Sequence, residues 1–241
     1  DAMQRLALAG LTTREACGHT VRNMTACPMA GACPKERTDV NEHLVHAARY
    51  FLRNPLNQQM PRKFKISFSG CEADCAQGLI HDLGIVATRR GERSGFTVLA
   101  GGGLGHKPHE AITVAEFIEE QDLLPAMEAV ITLHNKHSDR TKRAKSRIKF
   151  LVDRFGEEGF VERFNEEFVR TRAALADKPA PQGEWRQAAR GPVPGPGAPR
   201  VFFAQKQAGL HVVPIAASLG QLTAAQLQSL AALLGELGLH D

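Results

Sequence analysis

Four of the five cysteines fall in two tight pairs, and that spacing constrains the chain more than any other feature. Cys27 and Cys33 are separated by five residues, Cys71 and Cys75 by three, Cys17 stands apart, and no cysteine follows Cys75. The first residues lack the basic-then-apolar layout of a secretory signal, so a disulfide framework is not expected. Four thiolates drawn from two segments can hold a cubane iron–sulfur cluster. Structural zinc favours pairs two to four residues apart and fits the five-residue gap less well, but stays open as an alternative. Scattered buried thiols acting as small hydrophobes are the plainest reading, and two pairs beside turn residues speak against it. Pro28 and Pro34 favour loops, and Gly31 and Gly70 allow close backbone approach. Cys17 reads as a spare thiol.

With 241 residues, 43% of them hydrophobic and 23% charged, the chain can build a core, which excludes general disorder. No apolar run reaches the roughly 18 residues of a membrane span. The net charge of +4 suits an anionic ligand. One Tyr and one Trp leave few stacking platforms, so nucleic acid is not the expected partner.

Residues 6–13 read as the end of a helix and a turn, so the chain is expected to begin mid-fold. Apolar spacing predicts a helix over 40–53, and Phe64, Ile66 and Phe68 alternate with Lys63, Lys65 and Ser67 as in a half-buried strand. Strands are expected at 83–87 and 96–99, and helices at 112–119, 123–136, 141–154 and 157–174. From 177 to 200 the chain turns Pro/Gly-rich and reads as a linker. A strand at 210–216 and a helix at 223–238 with Thr223 as N-cap follow, too little to close a domain alone.

Lys63 and Lys65 are two apart and share a strand face just before Cys71, where two ammonium groups could bind an anion and supply protons. Taken alone, a solvated face explains such a pattern as well, and Arg22 is equally ambiguous. On a helix over 141–154, Arg140, Arg143 and Arg147 form one stripe beside an apolar face, a placement suited to bidentate carboxylate pairing. Lys142, Lys145 and Lys149 fall on the far side, where solvation is the default. The glycine run Gly101, Gly102, Gly103 and Gly105 could present amides to an anion or be a tight turn.

Taken together, residues 10–13, 20–23, the Cys27 and Cys33 loop, 60–65, 69–76, 101–105 and 140–155 resemble the sirohaem- and iron–sulfur-dependent nitrite/sulfite reductases. The resemblance covers nearly the whole chain, and the ordered set of segments is far more specific than any one of them. It implies an α+β fold, a mixed sheet with flanking helices, followed by part of a ferredoxin-like half-domain. The implied boundaries are 1–20 for the end of a first ferredoxin-like half-domain and 20–176 for the sirohaem/[4Fe-4S] domain. A linker at 177–197 and the start of a second ferredoxin-like half-domain at 198–241 complete the scheme, making the chain an internal piece of a longer reductase.

By the same resemblance, Cys27, Cys33, Cys71 and Cys75 match the cluster ligands, and Cys75 matches the thiolate bridging to sirohaem iron. Arg22, Lys63 and Lys65 match the cations that bind sulfite or nitrite and help deliver protons. Arg140, Arg143, Arg147, Gly102 and Gly103 become candidates for the sirohaem carboxylates. The implied partners are the second half of the reductase or a homologous subunit, and an electron donor such as ferredoxin or a flavoprotein, in the cytoplasm. Two departures stand out. Single-chain members often carry the cluster cysteines in the second half and the cations in the first, whereas both sets occur together here. The run Ala16, Cys17, Gly18 and His19 replaces the glycines and Asn usual before the Arg22 position. The rival expectations are a cluster-bearing electron-transfer or structural half without turnover, and a zinc-stabilised anion- or nucleic-acid-binding module.

Overall fold

The computed structural model describes residues 1–187 and 203–238. The chain divides into two compact units, Asp1–Gly191 and Pro192–Asp241. The first begins with α1 (Ala2–Leu8) and is organised around a five-stranded mixed sheet. Its strands are β1 (Val21–Ala26), β2 (Phe64–Ser69), β3 (Leu83–Arg90), β4 (Arg93–Ala100) and β5 (Ile112–Ile118), in that spatial order. β1, β2 and β3 run parallel, whereas the β3–β4 and β4–β5 pairs are antiparallel.

Parallel neighbours need a crossover, and the two crossovers are chemically different. Between β1 and β2 run the Cys27–Cys33 loop, α2 (Val40–Phe51) and α3 (Pro55–Gln58). Asp39 caps α2 by accepting from the Asn41 amide, and Val40, His43, Ala47 and Phe51 form its buried stripe. Asn54 caps α3, with Pro55 in its first turn. Between β2 and β3 there is no α-helix, only residues 70–82 with a 3₁₀ turn at Gly78–Ile80, and this stretch carries Cys71 and Cys75.

The core lies between the sheet and α4 (Leu123–His137) and α5 (Ile148–Ala174). Phe64, Ile66, Phe68, Leu83, Ile85 and Phe96 from the sheet meet Met127, Ile131, Phe160 and Phe164 from the helices in one buried cluster. On the opposite face of β2, Lys65 is exposed while Ser67 and Ser69 are buried, so the expected strict alternation holds only at its start. Gly156 breaks α5 with φ +71°, in line with the gap expected between 154 and 157.

Three expectations are corrected. Residues 112–118 form edge strand β5, because Val114 and Ile118, spaced like a helical stripe, also point inward from a strand whose register against β4 shifts twice. Residues 141–147 are not helical. Asp139 accepts from the Thr141 and Lys142 amides, a 3₁₀ turn covers Arg143–Lys145, Arg147 is extended, and α5 starts at Ile148. The start of the expected linker, to residue 187, is laid against the domain rather than free: the Gly183 amide donates to Glu120 and the Arg186 amide to the Arg37 carbonyl. The rest of the linker lies outside the described residues.

In the second unit, β6 (Phe203–Ala204) and β7 (His211–Val212) pair antiparallel. Only His211 and Val212 of the expected 210–216 strand are paired. Helix α6 (Ala224–Glu236) follows, and Thr223 and Gln226 close a capping box at its start. Among the described residues no helix is long and apolar enough to cross a membrane.

Candidate functional site

The ends of β1 and β2 bring the two cysteine pairs together. The Cys27 amide continues the strand ladder by donating to the Phe68 carbonyl at 2.8 Å, and the chain then turns so that the Cys33 amide reaches the Met29 carbonyl at 2.8 Å. Within the second loop the Asp74 amide donates to the Cys71 carbonyl at 3.1 Å, with Asp74 in the left-handed region at φ +46°. Its carboxylate accepts from Ser69 Oγ at 2.7 Å and the Gly78 amide at 2.9 Å, and Ser69 Oγ accepts from the Ala76 amide at 3.1 Å. Cys75 is thus fixed through both sequence neighbours. The loops are tied to each other where the Arg37 amide donates to the Gly70 carbonyl at 2.6 Å and the Arg37 guanidinium pairs with Glu72 at 3.0 Å. A Cβ on Gly70 would stand 3.0 Å from the Thr38 carbonyl and 3.1 Å from the Glu36 Cβ, a tight approach that glycine eases.

All five cysteines are free; Cys27, Cys33 and Cys71 are half-buried, while Cys75 and Cys17 are exposed. Burial pushes the Cys27 thiol up to about 11, against a hydrogen bond from the Met29 amide, and the other three thiols of the two pairs push it further. Cys71 is raised in the same way, by burial against the Ala73 amide, with Cys33, Cys75 and Glu72 adding to it. The four sulfurs therefore share one electrostatic neighbourhood. Among the described residues no three His, Cys, Asp or Glu side chains converge to hold a single metal ion.

The opposite ends of the same strands carry cations. Arg62, Lys63 and Lys65 line a cavity of about 560 Å³ together with Arg143, Arg147 and Lys149. Arg22 sits where the β1–β2 register shifts between Val21 and Asn23, so it is the extra residue of a β-bulge, a device that re-aims a side chain. It adds to the repulsion felt by Arg62 and Lys63. Both are pulled down first by burial and then by the surrounding guanidinium groups. Such mutual repulsion is relieved by a bound anion.

Asp82 is the single carboxylate among the lining residues and is fully buried. It accepts from Arg147 Nε and Nη2, both at 2.8 Å, and from the Lys65 amide at 3.0 Å. Burial pushes its carboxyl up, while Arg147 and the Lys65 amide pull it back. Behind Arg62, His134 is buried with its pKa lowered to about 4 by desolvation, so it is neutral; its Nε2–H donates to the Arg62 carbonyl at 3.4 Å.

The arginine stripe divides. Arg143 and Arg147 line the cavity, but Arg140 is exposed and donates to the Gln59 and Asn135 carbonyls at 2.8 and 3.1 Å, outside that lining. Lys149, expected in solvent, is 2% exposed and its Nζ is surrounded by the carbonyls of Leu104, His106 and Lys107. Two amides of the glycine run have partners within the chain. Gly103 donates to the His109 carbonyl and Gly101 to that of Asp82. A Cβ on Gly102 would lie 2.4 Å from the Leu79 carbonyl, so this glycine serves packing against the turn after Cys75. Arg62, Asp82 and Lys149 are the site residues that pattern reasoning missed. Arg62 stands beside Lys63 within residues 60–65, whereas nothing periodic marks Asp82.

Residues 17–171 match the Nitrite and sulphite reductase 4Fe-4S domain. The chain belongs to that family. Within it, the chain is 32% identical over 99% of its length to the assimilatory ferredoxin-dependent nitrite reductase of Haloferax mediterranei, of which it covers 42%. It is 33% identical over 75% of its length to sulfite reductase [ferredoxin] 1 of Mycolicibacterium paratuberculosis, covering 32% of that protein. The solved structure of Mycobacterium tuberculosis NirA protein aligns with 97% of the chain at a TM-score of 0.73 and 27% identity. The chain spans 40% of that structure, so the α+β fold and the family are shared while the relatives are longer.

Proposed function

We propose that the chain is the sirohaem- and iron–sulfur-bearing domain of a reductase that converts sulfite to sulfide or nitrite to ammonia. The gathering of Cys27, Cys33, Cys71 and Cys75 from two loops at the end of one strand pair carries this reading. The donor set fits a [4Fe-4S] cluster: the thiols are free, two already accept backbone N–H groups, and the thiols of the two pairs influence one another electrostatically. The cationic cavity fits sirohaem, a tetrapyrrole with many carboxylates, through Arg143 and Arg147. Exposed Cys75 is the one of the four cluster thiolates that we assign as the residue that would also contact sirohaem. When bound, cluster and sirohaem supply the electrons of a multi-electron reduction.

The chain's own groups do the rest. Arg22, Lys63 and Lys65 bind the oxyanion and offset the charge that builds up as oxygens leave. Depression of the Lys63 ammonium makes it a stronger acid than an ordinary lysine, suited to protonating a departing oxygen that leaves as water. Asp82 holds Arg147 and the Lys65 backbone in place.

Residues 1–20 and 198–241 are assigned to flanking ferredoxin-like half-domains, 20–176 to the cluster domain and 177–197 to the connection. The remainder of the site comes from a second half of the same reductase or a homologous subunit. The electron donor is a ferredoxin, as in the names of the relatives, or a flavoprotein. We place the reaction in the cytoplasm, where thiols stay reduced.

The test is anaerobic purification of the protein containing this chain, with metal analysis, an absorption spectrum, and nitrite and sulfite assays. The expected result is iron, acid-labile sulfide, sirohaem Soret and charge-transfer bands, and turnover of one anion. Cluster absorbance without sirohaem would leave an electron-transfer half, and zinc without sulfide would end the reading altogether.

A further inference from the structure

Residues 178–186, which by composition look like free linker, end on the loop that carries Cys33. The Gly183 amide donates to Glu120 Oε1 at 2.6 Å, and the same carboxylate receives the Trp185 indole N–H and His43 Nε2, the latter at 2.5 Å. The Trp185 ring packs edge-on against Phe96 and His43, at centroid distances of 5.2 and 6.4 Å. A Cβ on Gly183 would stand 2.6 Å from Thr38 Oγ1, so this stretch lies directly on residue 38. One residue past the tryptophan, the Arg186 amide donates to the Arg37 carbonyl at 2.6 Å. The Arg37 amide in turn donates to the Gly70 carbonyl, immediately before Cys71. A single line of backbone hydrogen bonds thus joins this segment, the chain four residues past Cys33, and the residue preceding Cys71.

We propose that residues 180–186 form a strap that sets the separation of the two cysteine-bearing loops, with Trp185 and Glu120 as its positioning residues. This rests on the reading of the four cysteines as cluster ligands. Neither residue touches the thiols. The strap acts by fixing Arg37, whose amide and guanidinium both hold the second loop. Glu120 is suited to this, since one partly buried carboxylate takes two donors from the strap and one from α2, and charge-assisted bonds are the stronger kind.

The full chain, purified anaerobically, is compared with Trp185→Ala, Trp185→Phe and Gly183→Ala. The readouts are iron and sulfide content, the EPR spectrum of the reduced cluster, and the rate at which air bleaches its absorbance. With native circular dichroism, Trp185→Ala and Gly183→Ala should bleach about tenfold faster, and Trp185→Phe should stay within about threefold of the unmodified chain. Unchanged bleaching and EPR spectra in both Trp185→Ala and Gly183→Ala would overturn the strap. Should Trp185→Ala fail to fold, Gly183→Ala decides alone, because its added methyl lifts the strap without hollowing the core beside Phe96. A chain that takes up no iron or sulfide refutes the cluster reading rather than the strap, which is then tested on the metal-free protein. There, faster reaction of Cys33 and Cys71 with a chromogenic disulfide reagent in both variants upholds it, and equal rates overturn it.

Discussion

The two ends of the β1–β2 pair are electrostatic opposites. At the end with the thiols, burial and the neighbouring thiols push Cys27 and Cys71 up, so these two resist becoming thiolates. At the other end, burial and mutual repulsion push Arg62, Lys63 and Lys149 down, so the cations resist their own charge. Each region disfavours its charged form and would be relieved by a group of the opposite sign, which on the proposed reading is iron at one end and an anion at the other. They also differ in construction. The thiol end consists of two short loops held by backbone bonds, whereas the cation end collects side chains from the start of β2 and from around the start of α5 about one buried carboxylate.

The largest effects should separate the two ends cleanly. Cys27→Ala and Cys71→Ala should each abolish cluster absorbance with its iron and sulfide, while Cys17→Ser leaves them intact; equal losses would dissolve the distinction between ligand and spare thiol. Cys75→Ser should remove the electronic coupling between cluster and sirohaem, read by EPR. Next, Asp82→Ala leaves Arg147 partly buried without its partner, and urea unfolding should show a loss of about 3–5 kcal/mol. A loss under about 1 kcal/mol would mean that the cations hold their places without a counter-charge.

Smaller and more specific is the effect of Lys63→Ala or Lys65→Ala, each expected to weaken sulfite or nitrite binding about tenfold with cluster absorbance unchanged. If neither alters binding, the two lysines return to being a solvated strand face. The pH dependence should follow from the same groups. The ammonium form binds the anion and the Lys63 pKa is lowered, so affinity should fall as pH rises, beginning below the range of an ordinary lysine. A profile flat through that range would contradict the depression. Smallest of all, Arg140→Ala should leave anion affinity unchanged and stability within about 0.5 kcal/mol, since its partners are carbonyls away from the cavity lining.

The thiol end was legible in the sequence because its information is local. Spacing, the turn residues Pro28, Pro34 and Gly70, and a strand leading into Cys71 all lie within a few residues of the ligands. Most of the cation end was not, because its order depends on distant partners. Arg143 and Arg147 were picked out on a helix that does not exist there: Asp139 turns the chain, and Asp82, some 65 positions earlier, draws Arg147 to the sheet. Lys149 looked solvated by angle and is buried because the Leu104–Lys107 carbonyls meet it. Strand β5 passed for a helix because a four-residue apolar spacing satisfies both periods until a neighbouring strand chooses between them. Helices α2 and α6, whose caps and stripes are local, fall where expected.

The parallel pairing of β1 with β2 has a consequence for how this chain can drift in length. Arg22 and Lys65 lie near one end of the pair and Cys27 and Cys71 at the other, so the distance between the two chemistries is counted out in strand residues, at about 3.3 Å each. Lengthening or shortening the hairpin tip around Gly91 leaves that distance untouched. One residue gained or lost between 23 and 26, or between 66 and 69, would turn the downstream side chains to the wrong face and misplace a sulfur in the same stroke. Insertions and deletions should therefore be common around that tip and absent from these two short stretches.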